Sequence, residues 1–188
     1  MRVAIVVKVG GSLLGAADHL DSVLAEIAIA GRDVPLLVVP GGGPFANAVR
    51  DADRLMGLGD DTAHWMAILA MEQYAHVITS RLPGSVLVTR PDEGDRTLVR
   101  RQIPVLAPYV WLRDEDPLPH SWDVTSDSIS AWVAGQVGAS RLILVKPAGA
   151  SGPALVDPCF ERFLPPHIVA DIVTADRIDD LRATLRRV

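Results

Sequence analysis

The stretch VVKVGGSLLG at residues 6–15 decides the fold. It is a short apolar run, typical of a strand buried on both faces, and it ends on Gly10 and Gly11. A second apolar run, PLLVV at residues 35–39, follows a segment with helical periodicity at residues 17–30. These three segments form a βαβ unit, which predicts a parallel sheet.

The rest of the chain continues the alternation of strands and helices. A helix is predicted from Pro44 to near Gly57, and residues 62–78 predict a second helix that is apolar on most sides. The runs SVLVT and IPVLAP predict two short strands separated by a turn at RPDEGDR. A helix from near Asp123 to near Gly138 leads into the strand RLILV, and a short strand and an amphipathic helix follow. This order predicts an α/β domain with helices on both faces of a mostly parallel sheet.

Composition places the chain among soluble globular proteins. Its 188 residues, 49% hydrophobic and 22% charged, predict one domain over residues 1–188. The net charge of −5 argues against general nucleic-acid binding. The apolar start is too short for a signal peptide and no segment is long enough to span a bilayer, so we expect a cytoplasmic protein without a membrane partner. The single Cys159 excludes an internal disulfide, and the apolar helix at residues 62–78 is compatible with a homo-oligomer.

Glycine-rich turns follow the first two strands, and each leads into a helix. Gly10 and Gly11 precede Ser12 in the first turn, and Gly41–Gly43 form the second. Parallel sheets bind ligands at the carboxyl ends of their strands, and N–H groups at helix starts suit anions. The first turn is also compatible with a plain strand-to-helix turn, whereas three consecutive glycines favour the close approach of a ligand. Two such turns predict two anionic groups, one from each of two substrates.

Two lysines are predicted at the same edge of the sheet. Lys8 lies inside a buried strand, where an ammonium group needs a partner or an anion. Lys146 ends the RLILV strand and is compatible with either a surface lysine or a second cation of the site.

The segment HSWDVTSDS offers carboxylates and hydroxyls. Asp123 is predicted to be a helix N-cap with Asp127 on the same face, and Thr125 and Ser126 add hydroxyl groups. The segment is compatible with a well-capped helix start and no further role. It is also compatible with a functional Asp127, which would either hold Lys8 in position or contribute to a magnesium site near phosphates.

The histidines and tryptophans near these segments are compatible with structural roles. His64 and His120 are the closest histidines, and each is compatible with a structural hydrogen bond as well as with substrate contact. The four tryptophans are predicted in the core or at a lobe interface, and they are Trp65, Trp111, Trp122 and Trp132.

Taken together, the segments resemble the amino acid kinase superfamily, which includes acetylglutamate kinase, aspartokinase, uridylate kinase and isopentenyl phosphate kinase. The stretches that carry the resemblance are KVGGSLL, PGGGPFANAVR and TSDSISAWVAGQVGASRLILVK, in the right order over nearly the whole chain. Within the superfamily, AHWMAILAM and HSWDVTSDS resemble the kinases of methanofuran biosynthesis, which act on an aminomethylfuran methyl phosphate.

The resemblance implies a three-layer α/β/α sandwich and an ATP-dependent phosphotransferase. About residues 1–118 would bind the acceptor, a small phosphomonoester converted to a diphosphate, and about residues 119–188 would bind ATP. Mg²⁺ would be carried mainly by ATP, with no metal ligand assigned to the chain. The residues also leave open a kinase for another phosphate or a carboxylate, and a non-catalytic nucleotide- or anion-binding member of the fold.

The resemblance also implies roles for individual residues. Lys8 would neutralise the transferring phosphoryl group, Asp127 would organise the lysine side chains, and Lys146 would be the second catalytic cation. The residues implied to bind phosphate or nucleotide are Gly10, Gly11, Ser12, Ser126 and Lys146. The residues implied to bind the acceptor are Gly41, Gly42, Gly43, Asn47, His64, His120 and Asp123.

Overall fold

The computed structural model describes residues 3–152 and 155–187. These residues form a six-stranded sheet in which all neighbouring strands are parallel. The strands are β1 (Ile5–Val9), β2 (Leu36–Pro40), β3 (Ser85–Val88), β4 (Ile103–Leu106), β5 (Arg141–Lys146) and β6 (Val169–Thr174). Their order across the sheet is β3-β4-β2-β1-β5-β6, so β1 lies in the middle between β2 and β5.

Helices cover both faces of this sheet. Within the described residues they are a short 3-10 helix (Gly11–Gly15), α1 (Ala17–Ala30), α2 (Gly43–Met56), α3 (Asp60–Arg81), α4 (Pro91–Val99), α5 (Tyr109–Glu115), α6 (Ser126–Gln136), α7 (Phe160–Phe163) and α8 (Ile178–Leu185). One core is formed under α1 and α8, a second lies under α4 to α7, and α3 contributes buried residues to both. The predicted three-layer α/β/α sandwich is confirmed.

Strand β1 is buried on both faces, as its apolar pattern predicts. Ile5, Val7 and Val9 belong to the core under α1 and α8, and Val6 belongs to the core under α6. Because side chains alternate along a strand, Lys8 points to the same face as Val6, toward α6. The central strand therefore carries its one charge to the carboxyl edge of the sheet.

The segment RPDEGDR was predicted as a turn, and that prediction is wrong. It forms the first part of α4, with Pro91 in the first helical turn. The Glu93 carboxylate accepts from the backbone N–H and the hydroxyl of Thr89, at 2.6 and 3.0 Å, which holds the start of the helix. The ion pair between Arg96 and Asp92, four residues apart, adds local support.

Helix α3 is the longest element, and it extends the predicted helix at both ends. It begins at Asp60 and ends at Arg81, whereas the apolar pattern indicated residues 62–78. Its first turn contains acidic residues and its last turn contains an arginine, and both complement the helix dipole. The helix therefore extends beyond its apolar middle into polar residues at both ends. Among the described residues, no helix is long and apolar enough to cross a membrane.

Candidate active site

The two glycine-rich turns pack directly against each other. A Cβ atom on Gly11 would lie 2.5 Å from the Cα of Gly43, and a Cβ atom on Gly43 would lie 2.5 Å from the carbonyl oxygen of Gly11. Gly43 also has a φ of 55°, a left-handed backbone conformation that residues with a side chain rarely adopt. The three glycines Gly41–Gly43 had predicted the close approach of a ligand. In the structure, the neighbouring turn approaches Gly41 and Gly43, whereas the atoms close to Gly42 belong to Ala46 of α2.

Two of the glycine N–H groups are engaged inside the fold. The N–H of Gly10 donates to the carbonyl of Val145, and the N–H of Gly41 donates to the carbonyl of Val9, both at 2.9 Å. Both glycines are buried. Each of these N–H groups extends the backbone ladder of the sheet, so the prediction that Gly10 donates its N–H to a phosphoryl group is wrong. Gly41 stays a predicted acceptor-binding residue.

Four other N–H groups at this edge have no partner. The N–H groups of Gly11, Ser12, Gly42 and Gly43 donate to no backbone or side-chain acceptor among the described residues. They lie at the starts of the 3-10 helix and α2, where the first N–H groups have no intrahelical acceptor. Such groups, together with the positive end of a helix dipole, attract anions.

Replacing Gly11 with alanine should destabilise the fold. The added methyl would collide with backbone atoms of Gly43, which cannot move without shifting α2, so we expect the free energy of unfolding to fall by at least about 2 kcal/mol. Urea denaturation measures this change. Gly15→Ala is the matched control, because it lies in the same short helix with no atom within 4 Å of the added Cβ. Equal unfolding midpoints for the two variants would contradict the packing role of Gly11.

Three buried charges form one array beside the glycine turns. Lys8 Nζ lies 2.9 Å from Asp127 Oδ1, and Lys146 Nζ donates to Asp127 Oδ2 at 2.6 Å. The three side chains are no more than 10% exposed. Lys8 and Lys146 extend from the neighbouring strands β1 and β5, and Asp127 extends from the first turn of α6. Because two cations share one anion, the array carries an excess positive charge that suits a further anion.

The environment shifts the pKa values of two of these groups. Burial alone would raise the pKa of Asp127, but the ammonium groups of Lys8 and Lys146 outweigh it and place this pKa below its ordinary value. Burial, helped by the like charge of Lys8, lowers the pKa of Lys146 despite the opposing effect of Asp127. Lys8 Nζ and Asp127 Oδ1 form a buried ion pair at 2.9 Å. An ammonium group has three N–H donors, so this one contact leaves Lys8 with donors for an anion in the cavity that it lines.

Helix α6 begins later than predicted. Its first residue is Ser126, and its N-cap is Thr125, whose hydroxyl accepts from the N–H of Asp127 at 3.4 Å. The prediction that Asp123 caps this helix and shares a face with Asp127 is therefore wrong. Asp123 is exposed and precedes the helix, because Ser121 and Thr125 make the local turn and cap contacts instead.

A buried carboxylate, Asp157, holds the start of α6 in place. It accepts from the N–H of Thr125 at 2.9 Å, from the hydroxyl of Thr125 at 2.7 Å and from the N–H of Ser128 at 3.0 Å. The hydroxyl of Ser128 and the N–H of Cys159 donate to its other oxygen. By fixing the first turn of α6, Asp157 also fixes the position from which Asp127 reaches the two lysines.

A cavity of about 450 Å³ adjoins the array. One part of its lining consists of Lys8 and the four residues with unpartnered N–H groups. A second part is apolar and comes from α3 and from the beginning of α6: Ala63, Ala67, Ile68, Met71, Val124 and Ile129. A third part is polar and includes Asn47, Arg50, Asp60, His64, Trp122, Thr125 and Ser126. The cavity can therefore receive an anionic group attached to a compact apolar body.

The residues singled out from the sequence divide into two groups. Those that line the cavity are Lys8, Gly11, Ser12, Gly42, Gly43, Asn47, His64 and Ser126. Those outside its lining are Gly10, Gly41, His120, Asp123, Asp127 and Lys146. Asp127 and Lys146 nevertheless belong to the site, because they contact Lys8 or the carboxylate that holds it.

His64 and His120 form a stacked pair at the side of the cavity. Their ring centroids are 4.1 Å apart, with 21° between the planes. Both nitrogens of His120 are engaged, Nδ1 with Asp61 at 2.6 Å and Nε2 with Asp116 at 2.8 Å. His120 therefore has no ring nitrogen left to contact an acceptor directly, and only His64 faces the cavity.

The two histidines have opposite pKa shifts. Burial alone would lower the pKa of His120, but its hydrogen bonds to Asp61 and Asp116 outweigh burial and raise it. Burial, together with the charge of His120, lowers the pKa of His64 to about 4. At neutral pH, His64 thus presents a neutral imidazole that can accept or donate one hydrogen bond.

Titration of the ring nitrogens by NMR should separate these two histidines. We expect His64 to remain neutral down to about pH 5, and we expect the pKa of His120 to fall when both Asp61 and Asp116 are replaced by asparagine. Because the folded-state pKa of His120 is raised, its pairing stabilises the fold below the ordinary pKa of 6.5 and this contribution disappears as the pH rises through the folded-state value. A His64 that becomes charged between pH 6 and 7 would contradict this assignment.

Sequence analysis missed several residues of the site, among them Asp60 of the cavity lining and three others. Arg50 and Trp122 line the cavity, and Asp157 orients α6. Trp122 was predicted in the core or at a lobe interface, but it is half-buried at the cavity. Trp111 does lie in the core, packed against Trp132. No local pattern marks these three residues, since each acts through contacts distant in sequence.

The rarity of lysine in the chain also distinguishes the array. The chain has eighteen lysines and arginines, of which only two are lysines, and those two are Lys8 and Lys146. A compact ammonium group, unlike a planar guanidinium, fits a buried point-charge contact with one carboxylate. The confinement of lysine to the array therefore distinguishes these positions from the arginine-rich surface.

The described residues provide no ready metal centre. Within residues 3–152 and 155–187, no group of three or more His, Cys, Asp or Glu side chains could hold a metal ion. The carboxylate of Asp127 is engaged by two lysines.

A parallel sheet with unpartnered N–H groups and two buried lysines at its carboxyl edge is typical of α/β proteins that bind anions. The family model for the amino acid kinase family matches residues 4–148. The chain belongs to the amino acid kinase family and is a phosphotransferase.

Individual relatives extend this assignment. A curated relative from Methanocaldococcus jannaschii, a [5-(aminomethyl)furan-3-yl]methyl phosphate kinase, is 28% identical over 180 residues, which are 94% of this chain and 76% of the relative. The uridylate kinase from Archaeoglobus fulgidus superposes with a TM-score of 0.74 at 14% identity, covering 100% of this chain and 96% of that one. The UMP kinase from Ureaplasma parvum gives 0.75 at 11% identity, covering 100% and 97%. At these identities the two solved structures show the shared fold.

Proposed function

We propose that this phosphotransferase transfers the γ-phosphoryl group of ATP to a small phosphomonoester and forms a diphosphate. The observation that carries the proposal is the array of Lys8, Asp127 and Lys146 beside a cavity that combines an anion seat with an apolar wall. The proposed acceptor is [5-(aminomethyl)furan-3-yl]methyl phosphate, the compound in the name of the curated relative.

The lining of the cavity suits each part of this acceptor. The unpartnered N–H groups of Gly42 and Gly43 offer donors for its phosphate. The apolar side chains of α3 that line the cavity can pack against a small aromatic ring. The carboxylate of Asp60 and the neutral imidazole of His64 are groups that can accept hydrogen bonds from an ammonium group.

The proposed reaction needs positioning and charge neutralisation rather than a general base. An oxygen of the acceptor phosphate bonds to the γ-phosphorus of ATP while the bond from that phosphorus to ADP breaks. The acceptor oxygen is already deprotonated, so no side chain has to remove a proton. Lys8 and the N–H groups of Gly11 and Ser12 would stabilise the charge on the transferring group, and Asp127 would hold Lys8 in place.

We place the acceptor in the half formed by about residues 1–118 and the nucleotide in the half formed by about residues 119–188. The start of the second half contributes several residues to the cavity lining, so it would face both substrates: Ser121, Trp122, Val124, Thr125, Ser126 and Ile129. Lys146, at the end of β5, would bring the second positive charge from the nucleotide side. Mg²⁺ would enter with ATP, since the described residues offer no metal centre.

Phosphorus NMR of the reaction mixture tests this function. Purified protein, ATP, Mg²⁺ and the furan phosphate are expected to give ADP and new diphosphate resonances. Parallel reactions contain UMP, isopentenyl phosphate and N-acetylglutamate, which represent other phosphates and a carboxylate. Turnover of one of these acceptors, with none of the furan phosphate, would overturn the proposed substrate. No ATP consumption with any acceptor would favour a non-catalytic binding protein.

A further inference from the structure

Arg50 is a cation of the cavity that the array does not use. It lies on α2, is half-buried and contributes to the cavity lining. Among the described residues no carboxylate pairs with it, whereas Arg54, one turn later on α2, pairs with Asp51 at 3.3 Å. An arginine of this kind has its hydrogen-bond donors available to a ligand.

Trp122 holds the Arg50 guanidinium in place. The Cζ atom of Arg50 lies 4.6 Å from the centroid of the Trp122 ring, within the range of a cation–π contact. Trp122 Nε1 donates to Asp53 Oδ2 at 2.9 Å, and Asp53 Oδ1 accepts from the N–H of Leu58 at 3.1 Å. Asp53, although one helical turn from Arg50, is therefore directed to the tryptophan and to the end of α2.

These contacts tie the two sides of the cavity together. Arg50 and Asp53 belong to α2, and Trp122 lies in the segment that precedes α6. A guanidinium stacked on an indole loses little further freedom when it binds a ligand, because its plane is already oriented. Its fork of N–H groups matches two oxygens of a phosphate.

The two cations of the cavity lining differ in whether a carboxylate pairs with them. Lys8 is paired with Asp127 and belongs to the buried array beside the glycine turns. Arg50 has no such pairing and lies at the side formed by α2 and Trp122. A reaction between two phosphate groups needs neutralisation of the acceptor as well as of the transferring group, and the array supplies one of these.

We propose that Arg50 binds the phosphate already present on the acceptor, and that Trp122 and Asp53 position its guanidinium. This inference rests on the proposed function, in which the acceptor is a phosphomonoester. It makes Arg50 the residue that favours a phosphate acceptor over a carboxylate, because a phosphate dianion gains more from the second cation.

Calorimetric titration without ATP tests the role of Arg50. The probes are the furan phosphate and inorganic phosphate, added to wild type, Arg50→Met and the matched control Arg54→Met. We expect Arg50→Met to weaken both dissociation constants about 30-fold and Arg54→Met to leave them within about twofold of wild type. Arg50→Lys should recover only part of the affinity, because it restores the charge without the fork. Thermal unfolding of each variant checks that it is folded.

Steady-state kinetics tests the role of Trp122 and Asp53. Trp122→Phe keeps an aromatic ring but removes the donor to Asp53, and Asp53→Asn weakens the acceptor of that bond. Both are expected to raise KM for the acceptor about 3- to 10-fold while KM for ATP stays unchanged. A merely structural role would alter both KM values or the melting temperature without this split, and would overturn the positioning role.

The outcomes separate this inference from the proposed function. If wild type converts the furan phosphate and Arg50→Met has the KM and dissociation constants of Arg54→Met, the inference fails and the function stands. If wild type uses only a carboxylate acceptor but phosphate binding still depends on Arg50, the function fails and Arg50 remains a phosphate-binding residue. If wild type binds neither probe, the inference is overturned.

Discussion

Replacing Lys8 with methionine is expected to lower kcat about 1,000-fold or more. Lys8 is the lysine of the array that lines the cavity, and its ammonium group has donors beyond the one that faces Asp127. Methionine has a similar length and an apolar character, so it fills the buried site without its charge. Asp127 keeps its contact with Lys146 in this variant, so the fold should survive.

Measuring ATP affinity as well as kcat distinguishes a catalytic role of Lys8 from a role in binding ATP. Coupled detection of ADP gives kcat, and calorimetry gives the affinity for ATP. We expect the loss to fall mainly on kcat, because Lys8 contributes most when charge moves during transfer. Arg54→Met, an exposed change on α2, is the control for loss of a positive charge. A Lys8→Met enzyme with at least one tenth of the wild-type kcat would contradict a catalytic role.

Local patterns were sufficient to predict most of the sheet and its helices. The valine-rich runs around β1, β2 and β5 are typical of buried parallel strands, and they lie where the structure has them. The helix predicted over residues 17–30 coincides with α1. The segment RPDEGDR was misassigned because its helix depends on Glu93 reaching back to Thr89, a contact that turn-forming residues conceal.

The glycines illustrate what a local pattern leaves undetermined. The sequence shows that Gly11 and Gly43 are glycines after strands, but not that their backbones meet. Whether a glycine faces a ligand or another loop depends on strand order, and here β1 and β2 are neighbours. The same fact engages the N–H of Gly41 within the fold, so only part of each turn can serve an anion.

The contact between Lys8 and Asp127 was more accessible to prediction than the contacts of Arg50. A lysine in a buried strand needs a counter-charge, and this need restricts the choice to a few carboxylates near the same edge. Arg50 lies on a helix with an exposed face, where an arginine needs no explanation. Its contact with Trp122 joins residues 72 positions apart in the numbering. Only the folded arrangement relates them.

Replacing Asp127 with asparagine should lower the free energy of unfolding by about 3–5 kcal/mol. The change leaves the ammonium groups of Lys8 and Lys146 buried beside each other without their shared anion. Activity should also be lost, because Lys8 is no longer held. Guanidinium denaturation measures the stability and ADP release measures the rate. A loss below about 0.5 kcal/mol would contradict the buried array.

The dependence of stability on pH provides a second measure of Asp127. Its folded-state pKa lies below the ordinary value of 3.8, so the folded state binds fewer protons than the unfolded state in that range. The carboxylate thus contributes its full stabilisation above about pH 3.8 and loses it as the pH falls through the folded-state pKa. Asp127→Asn should remove this part of the acid dependence. An acid profile identical to that of wild type would place the titration on other groups.

The two lysines allow the array to be observed directly. Because the chain contains only Lys8 and Lys146, lysine labelled with ¹⁵N at the side chain should give two ammonium signals without interference. The pKa of Lys146 is already lowered by burial and by Lys8, and loss of the opposing Asp127 charge should lower it further in Asp127→Asn. An unchanged Lys146 titration in that variant would show that the carboxylate does not govern its charge.

A double variant separates the structural role of the carboxylate from its catalytic role. In Asp127→Asn with Lys146→Met, one of the two unpaired buried ammonium groups is gone, so we expect recovery of a large part of the lost stability. Activity should not recover, because Lys8 still lacks the carboxylate that holds it beside the cavity and the second cation, Lys146, is also gone. Lys146→Met alone is the control for the second of these two causes. If stability recovers and activity does not, the ion array is needed for catalysis and not only for the fold. Recovery of both would mean that Asp127 serves the fold alone.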